Sequence, residues 1–330
     1  MTPADLSRTV AHAVRGAVGD GELPAGVELP QRVVVDRTRP GGVGEYATAV
    51  AFPLAKSAGR PPGDVARVLA RRLAGAPGID RVEVTGSGFL NFVMGRPSAE
   101  ALVRDVRERG LRYGVSPEVA PGVVGARTRA EVVRDAVLRL GGDLGLNPDL
   151  DPDTRGPRIA PVPKKEGDVF ADYGADAARW AMLAVPPHET PSFSGRLLVQ
   201  DESNEFFRVR YARARARALL RNAAHLGFRP EAGDEPGDTE HTPAADALLR
   251  ALADHPLALE AAAHHRAPER LARQLVRLAD ALLDFQYDVL PKGDEKPSAA
   301  HRARLALAEA AGTVLAGGLS QLGIAAPERL

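Results

Sequence analysis

Six apolar residues, Leu271, Leu275, Leu278, Leu282, Phe285 and Val289, recur at intervals of four, three, four, three and four. At 3.6 residues per turn this spacing puts all six on one stripe of a single long helix, whereas a strand would scatter them over both faces. A helix that is apolar along one stripe is stable only when other helices cover it, so this part of the chain has to be a bundle. Pro291 is expected to end the helix. A final helix is expected from about Ala299 to Leu322, and residues 171–330 read as largely helical.

Within that region the segment Gln200–Phe228 carries two stripes. Val209, Ala212, Ala216, Leu219, Leu220 and Ala223 share one sector, where the small alanines would let a partner helix approach closely. Arg210, Arg213, Arg217 and Arg221 fall on another side, within roughly a quarter of the circumference. A single-sign stripe repels itself, and a helix surface ordinarily mixes in acidic residues. Two readings fit it: a solvated face whose long arginine stems cover apolar surface, or a ridge that follows nucleic-acid phosphates.

Residues 1–95 read differently, as a small α+β unit. A helix over Pro3–Val18 precedes a short strand at Arg32–Asp36 and a glycine-rich stretch from Arg39 to Gly44. A second helix, Gly63–Ala74, has Val65, Leu69 and Leu73 at four-residue spacing. Val82 and Val84 then alternate with polar neighbours, Thr85-Gly86-Ser87-Gly88 makes a tight turn, and Phe89–Met94 returns, which is a hairpin pattern. Residues 96–170 form the connector. Helical patches near Ser98–Arg109 and Arg127–Leu140 lead into Gly141–Gly167, a linker too rich in Gly, Pro and Asp for sustained regular structure.

Composition narrows the function classes. There is no cysteine, which excludes disulfides, thiolate nucleophiles and Cys-containing zinc sites and fits a reducing compartment. With no apolar segment of membrane-spanning length and nothing resembling a signal sequence at Met1–Val18, a cytoplasmic protein without membrane contact is expected. Basic and acidic residues balance at 43 each, so any case for nucleic acid must come from where the charges sit. Lysine occurs only at positions 56, 164, 165, 292 and 296. Asp149-Leu150-Asp151-Pro152-Asp153 begins like a calcium loop but has Thr154 and Ala160 where Gly and Glu are needed. His264 and His265 are adjacent and diverge on a helix, and Gly41–Gly44 lacks the Lys-Ser/Thr of a phosphate loop. No cofactor, metal ligand or catalytic residue is expected.

Motif order then brings in a family. Gly44-Glu45-Tyr46-Ala47-Thr48, Leu54-Ala55-Lys56, Pro61-Pro62 and Gly88-Phe89-Leu90-Asn91-Phe92 follow one another as in the additional N-terminal domain of arginyl-tRNA synthetases, which residues 1–95 resemble. The resemblance implies that this domain meets the elbow of a tRNA through Phe89 and Asn91. Core and RNA-contact readings are both open for these two, because aromatics that stack on bases are also good strand formers. Phe92 is expected in the sheet core. Residues 171–330 resemble the family's DALR-type anticodon-binding bundle. The motifs are Gly174-Ala175-Asp176-Ala177-Ala178-Arg179, Ser203-Asn204 followed by Arg210-Tyr211-Ala212, and the closing run Leu315–Leu319, Leu322–Ile324 and Ala326–Leu330. Arg208, Arg210, Tyr211, Arg213, Arg217 and Arg221 are then the RNA-binding candidates of this domain. Arg210 stands where the family favours Gln, and Gln286-Tyr287 where it favours a Phe-Tyr pair, which leaves tRNA identity open.

Between its ends that family has a nucleotide-binding domain of parallel βαβ units. About seventy-five residues cannot contain one, at some thirty residues per unit. Remnants are legible. Arg129, Val132-Val133, Asp135-Ala136 and Arg139-Leu140 resemble the helix after the family's His-x-Gly-His motif, on a register that turns the histidines into Val124 and Arg127. Lys164-Lys165-Glu166-Gly167 resembles what is left of its lysine loop, with Pro161 in place of the first lysine. Amino-acid activation needs preorganised donors around the developing charge, and losing one costs roughly 10²–10³ in rate. The expected architecture is therefore an α+β domain joined to an all-α bundle with no intact Rossmann core. The expected function is non-catalytic tRNA binding, with arginine tRNA as partner. The alternatives are a regulatory partner of a full-length synthetase or metabolic enzyme without RNA binding, and one part of a composite enzyme.

Overall fold

A computed structural model describes residues 3–27, 33–38, 42–95, 98–115, 125–141, 158–232 and 242–330, which fall into two units, Met1–Pro97 and Ser98–Leu330. The expected hairpin organises the first unit. Gly86 turns the chain at a φ of 57°, a left-handed conformation that glycine adopts without a side-chain clash. The strands β1 (Asp36–Arg37), β2 (Tyr46–Thr48), β3 (Ile79–Thr85) and β4 (Phe89–Met94) form an antiparallel sheet in the order β1-β2-β4-β3. Its register sets Val82 opposite Phe92 and Val84 opposite Leu90, and both Leu90 and Phe92 are fully buried. Three helices cover the sheet: α3 (Pro62–Leu73) lies on β3 and β4, and α1 (Pro3–Gly19) and α2 (Ala51–Ala58) pack on α3. Leu6, Val10 and Val14 of α1 meet Val65, Leu69 and Leu73 of α3 in that core. The strand expected at Arg32–Asp36 forms later in the chain, at Asp36–Arg37. Arg32 lies outside the described residues, and the ladder begins only where Asp36 pairs with Ala47. Val33 and Val35 are buried side chains ahead of it.

The Gly44–Thr48 motif is a clasp between β2 and β4. Gly44 has a φ of 71°, and a Cβ there would collide with the Phe92 carbonyl. The Glu45 amide donates to that carbonyl at 2.9 Å, and its carboxylate accepts the Met94 amide at 2.9 Å. The Thr48 hydroxyl donates to the Val34 carbonyl at 2.6 Å and accepts the Val50 amide at 3.3 Å.

The second unit is helical: α4 (Ala99–Arg109), α5 (Arg129–Arg139), α6 (Val169–Tyr173), α7 (Ala175–Leu183), α8 (Glu205–His225), α9 (Pro243–His264), α10 (Glu269–Phe285) and α11 (Ala299–Gln321). Helix α10 is central and touches α7, α8, α9 and α11, with all six residues of its stripe fully buried. It gives way at Phe285 to a 3₁₀ turn, Gln286–Asp288, short of Pro291, and this turn still delivers Val289 to the core. Helices α4 and α5 contribute Leu102, Val103, Val106, Val132, Val133 and Ala136 to the same core. Most of the Gly141–Gly167 stretch, with Asp149–Asp153, lies outside the described residues. Among the described residues the four-stranded antiparallel sheet is the only one.

Two local solutions hold the bundle together. Where α8 meets α11, a Cβ on Gly312 would sit 2.7 Å from that of Ala216, the close approach the alanine sector implied. In α9, Pro256 supplies no N–H and its ring crowds the Leu252 carbonyl, one turn back. The Tyr113 hydroxyl donates to that carbonyl at 3.4 Å, and the Gln274 amide donates to the neighbouring Ala251 carbonyl at 2.6 Å. His255 is buried beside this repair with its ring stacked on Tyr113, 6.2 Å between centroids.

Candidate nucleic-acid interface

Helix α8 starts later than expected because Asn204 caps it. The Asn204 side-chain oxygen accepts the amides of Phe206 and Phe207 at 3.0 and 3.3 Å, and its nitrogen donates to the carbonyls of Leu197 and Val199 at 3.1 and 2.7 Å. One residue thus satisfies the helix start and ties down the preceding loop. The apolar sector behaves as its spacing implied, with Val209, Ala212, Ala216, Leu219 and Ala223 buried.

The arginines do not form one uniform solvated ridge. Arg208 is engaged, donating to the Glu202 carbonyl at 2.6 Å and lying 2.9 Å from the Asp280 carboxylate. The Arg210 guanidinium sits 5.2 Å from the Phe206 ring centre, a cation–π geometry. Arg213 is the surprise. Its side chain is only 12% exposed, and its Nε is buried without a hydrogen-bond acceptor. The Glu328 carboxylate lies 3.8 Å from Arg213 and 2.9 Å from Arg217. Burial lowers the pKa of Arg213 below the usual guanidinium value, Arg217 lowers it further, and Glu328 opposes both. Arg217 and Arg221 are half-buried.

A second flank of α8 is aromatic. Phe207 and Tyr211, one turn apart, stack with centroids 5.5 Å apart and planes 17° from parallel. Arg215 donates from Nε to the Gln286 side-chain oxygen at 2.6 Å, which holds the 286–288 turn against this helix. Tyr287 on that turn is 69% exposed. Exposed rings beside guanidinium groups are the surface on which unpaired bases stack. Sequence reasoning passed over Phe207, although its four-residue spacing from Tyr211 was the signal.

In the first unit, Phe89 is 45% exposed and meets Phe52 edge-on at 4.9 Å. Asn91, for which both readings were open, is 5% exposed: it alternates with the core residues Leu90 and Phe92 and so shares the sheet face of Phe89, where its amide nitrogen donates to the Thr85 hydroxyl at 2.6 Å.

The residues expected at the active-site remnant make local structural contacts. Val124 lies outside the described residues. The backbone amides of Arg127 and Thr128 both donate to Glu131 at 2.9 Å, and Thr128 and Glu131 form a capping box that starts α5. Arg129 is 2% exposed, with its guanidinium in a cage of backbone carbonyls: Met182 at 3.1 Å, Ala160 at 2.8 Å, Pro186 at 2.9 Å and Glu189. Lys164 and Lys165 sit exposed on a 3₁₀ turn. Among the described residues there is no group of three or more side chains able to hold a metal ion, and no helix is long and apolar enough to cross a membrane.

Two family models match. Residues 4–94 match the arginyl-tRNA synthetase N-terminal domain and residues 209–330 match the DALR anticodon-binding domain. The chain is 38% identical over 157 residues to the arginine–tRNA ligase of Micrococcus luteus, covering 42% of this chain and 28% of that one. It is 45% identical over 114 residues to that of Frankia alni, covering 34% and 20%. The matched stretches thus span less than a third of these relatives. Its fold is similar to Thermus thermophilus arginyl-tRNA synthetase, at a TM-score of 0.64 and 16% identity over 100% of both chains. It is also similar to the Plasmodium falciparum arginyl-tRNA synthetase, at 0.60 and 9% over 99% of both.

Proposed function

We propose that this chain, a member of the arginyl-tRNA synthetase family built from that family's N-terminal and DALR anticodon-binding domains, binds tRNA and does not aminoacylate it. The observation that carries the reading is that α8 and the 286–288 turn present exposed Tyr211 and Tyr287 while the same helix carries the cations Arg210, Arg217 and Arg221. Rings offer stacking faces to unpaired anticodon-loop bases, and guanidinium groups take the flanking phosphates. Phe89 on the first unit is a second stacking ring, whereas the buried Asn91 supports the strand that presents it. Arginine tRNA is the expected ligand because the relatives are arginine–tRNA ligases, and the working compartment is the cytoplasm.

The absence of catalysis rests on the stretch between the two matched domains. Its described parts are helices whose apolar faces are spent in the bundle core, and Arg129 is occupied by backbone carbonyls. About seventy-five residues are too few for the several βαβ units of a nucleotide-binding domain. The chain would then act by holding tRNA, alone or with a full-length synthetase.

The test is direct. Protein purified at low salt should co-purify with RNA enriched in arginine tRNAs, and should show no arginine-dependent exchange between ATP and pyrophosphate. Reversing two charges, Arg213→Glu with Arg217→Glu, should weaken tRNA binding by at least tenfold at 50 mM salt, since roughly two phosphate contacts are lost. An RNA-free preparation with a stoichiometric protein bound, or unchanged affinity in the double variant, would refute the reading.

A further inference from the structure

We propose that Arg213 and Arg217 form a phosphate seat that Glu328 occupies in the free protein, so that RNA enters by displacing residues 327–330. The inference rests on the tRNA-binding reading above and gives its regulation. An arginine only 12% exposed on its side chain is ordinarily matched by an acceptor at hydrogen-bonding distance. Arg213 is not: its nearest carboxylate is 3.8 Å away, its Nε has no acceptor, and its neighbour Arg217 is a like charge. Two guanidinium groups sharing one carboxylate leave an excess positive charge in a partly dehydrated site. A phosphate group, with more charge and more acceptor oxygens than a carboxylate, fits that excess better than Glu328 does.

The geometry also explains how the seat opens. Glu328 is 55% exposed, while Ile324 ahead of it is buried and the Ala325 amide donates to Asp176 at 3.3 Å. The segment is therefore anchored at 324–325, and the glutamate reaches the arginines from beyond that anchor. Swinging Glu328 away breaks its ion pairs to Arg213 and Arg217 but, hinged beyond Ala326, leaves the core packing of Ile324 and Ala326 in place, so displacement is reversible. On the other side α11 lies against the Arg213 head, with the position of a Cβ on Gly312 at 3.6 Å, ordinary contact distance from the guanidinium. A seat open toward solvent and walled by α11 behind suits a backbone phosphate arriving from outside.

The experiment uses the whole chain and two probes, a tRNA transcript and inorganic phosphate. Glu328→Gln keeps the shape and removes the charge. It should bind the transcript about three- to tenfold more tightly at low salt, and its log–log salt dependence should steepen by about one phosphate contact, roughly 0.7–0.9 in slope. It should also gain a phosphate-dependent rise in melting temperature that the wild type lacks, and Arg217→Gln added to it should abolish that gain. If the wild type binds RNA and Glu328→Gln matches it in affinity, slope and phosphate response, the seat is overturned while RNA binding stands. If neither protein binds RNA but Glu328→Gln still gains the Arg217-dependent phosphate response, the seat holds and the tRNA reading falls. If neither protein binds RNA and Glu328→Gln gains no phosphate response, both are overturned.

Discussion

Removing the Arg129 guanidinium tests whether this part of the chain is now scaffold. The substitution Arg129→Met keeps most of the stem and deletes the head that donates to Met182, Ala160 and Pro186 at 3.1, 2.8 and 2.9 Å, with looser contacts to Pro187 at 3.3 Å and Val185 at 3.4 Å. The Pro187 and Pro186 carbonyls keep partners, because the Ala160 and Glu189 amides donate to them at 2.8 and 3.0 Å. The Met182, Ala160 and Glu189 carbonyls each lose a charge-assisted bond, worth about 1.5–3 kcal/mol apiece. Against that total stands the dehydration of the cation, on the order of several kcal/mol, which the variant no longer suffers. The net loss is about 3 kcal/mol. For a unit of this size each kcal/mol moves the melting temperature by roughly 2–4 °C, so a fall of about 6–12 °C is expected. Arg129→Lys should recover less than half, since one ammonium on a flexible stem cannot span the cage. Urea unfolding by circular dichroism and calorimetry would read both variants, with RNA affinity measured well below the transition and expected to be unchanged. A stability loss under about 0.5 kcal/mol, within the range of ordinary surface substitutions, would refute the clamp.

Burial holds His255 neutral, with its pKa pushed down to about 3. The unfolded chain takes up a proton near pH 6.5 that the fold excludes, so stability is full above that pH and falls as pH drops toward 3, by up to about 1.4 kcal/mol per unit. His255→Leu should flatten this slope by one proton in denaturation between pH 4 and 6.5, and an unchanged slope would show that His255 is protonated in place. Gly312→Ala adds a methyl 2.7 Å from the Ala216 Cβ, which should cost about 1–3 kcal/mol as α8 and α11 separate. Ala216→Gly in the same chain should restore part of it, and a melting temperature unmoved by Gly312→Ala would mean the helices are not in close contact.

What the sequence made legible was whatever repeats locally. The α10 stripe, the alanine sector of α8 and the 85–88 turn each rest on residues within a few positions of one another, and periodicity alone locates their partners' side. The ends of α8 and the position of β1 were read less well, since both depend on contacts from other segments: Asn204 on Leu197 and Val199, and Asp36 on Ala47. Helix α9 carries no clean stripe in sequence, because His255 and Pro256 interrupt it. At the interface, the angular spacing of Arg210, Arg213, Arg217 and Arg221 was correct but could not separate a free guanidinium from a covered one. That distinction is made by Glu328, more than a hundred positions further on. For Asn91 the two readings stayed open because alternation along β4 puts it opposite the core residues Leu90 and Phe92 but does not reveal the Thr85 hydroxyl that takes its amide.

The repair of α9 bears on the order in which the chain assembles. A helix interrupted by Pro256 gains little from its own propensity. It is completed by Gln274, 23 positions away, and by Tyr113, 139 positions away. Closing the longer of these loops costs entropy before any contact returns it, so α9 cannot serve as an early nucleus and must wait for the segment around residue 113 to dock. The smallest fragment that folds by itself therefore begins near Ser98, and one cut at residue 171, where the anticodon-type bundle is expected to begin, would keep Gln274 on Ala251 but leave the Leu252 carbonyl of α9 unanswered.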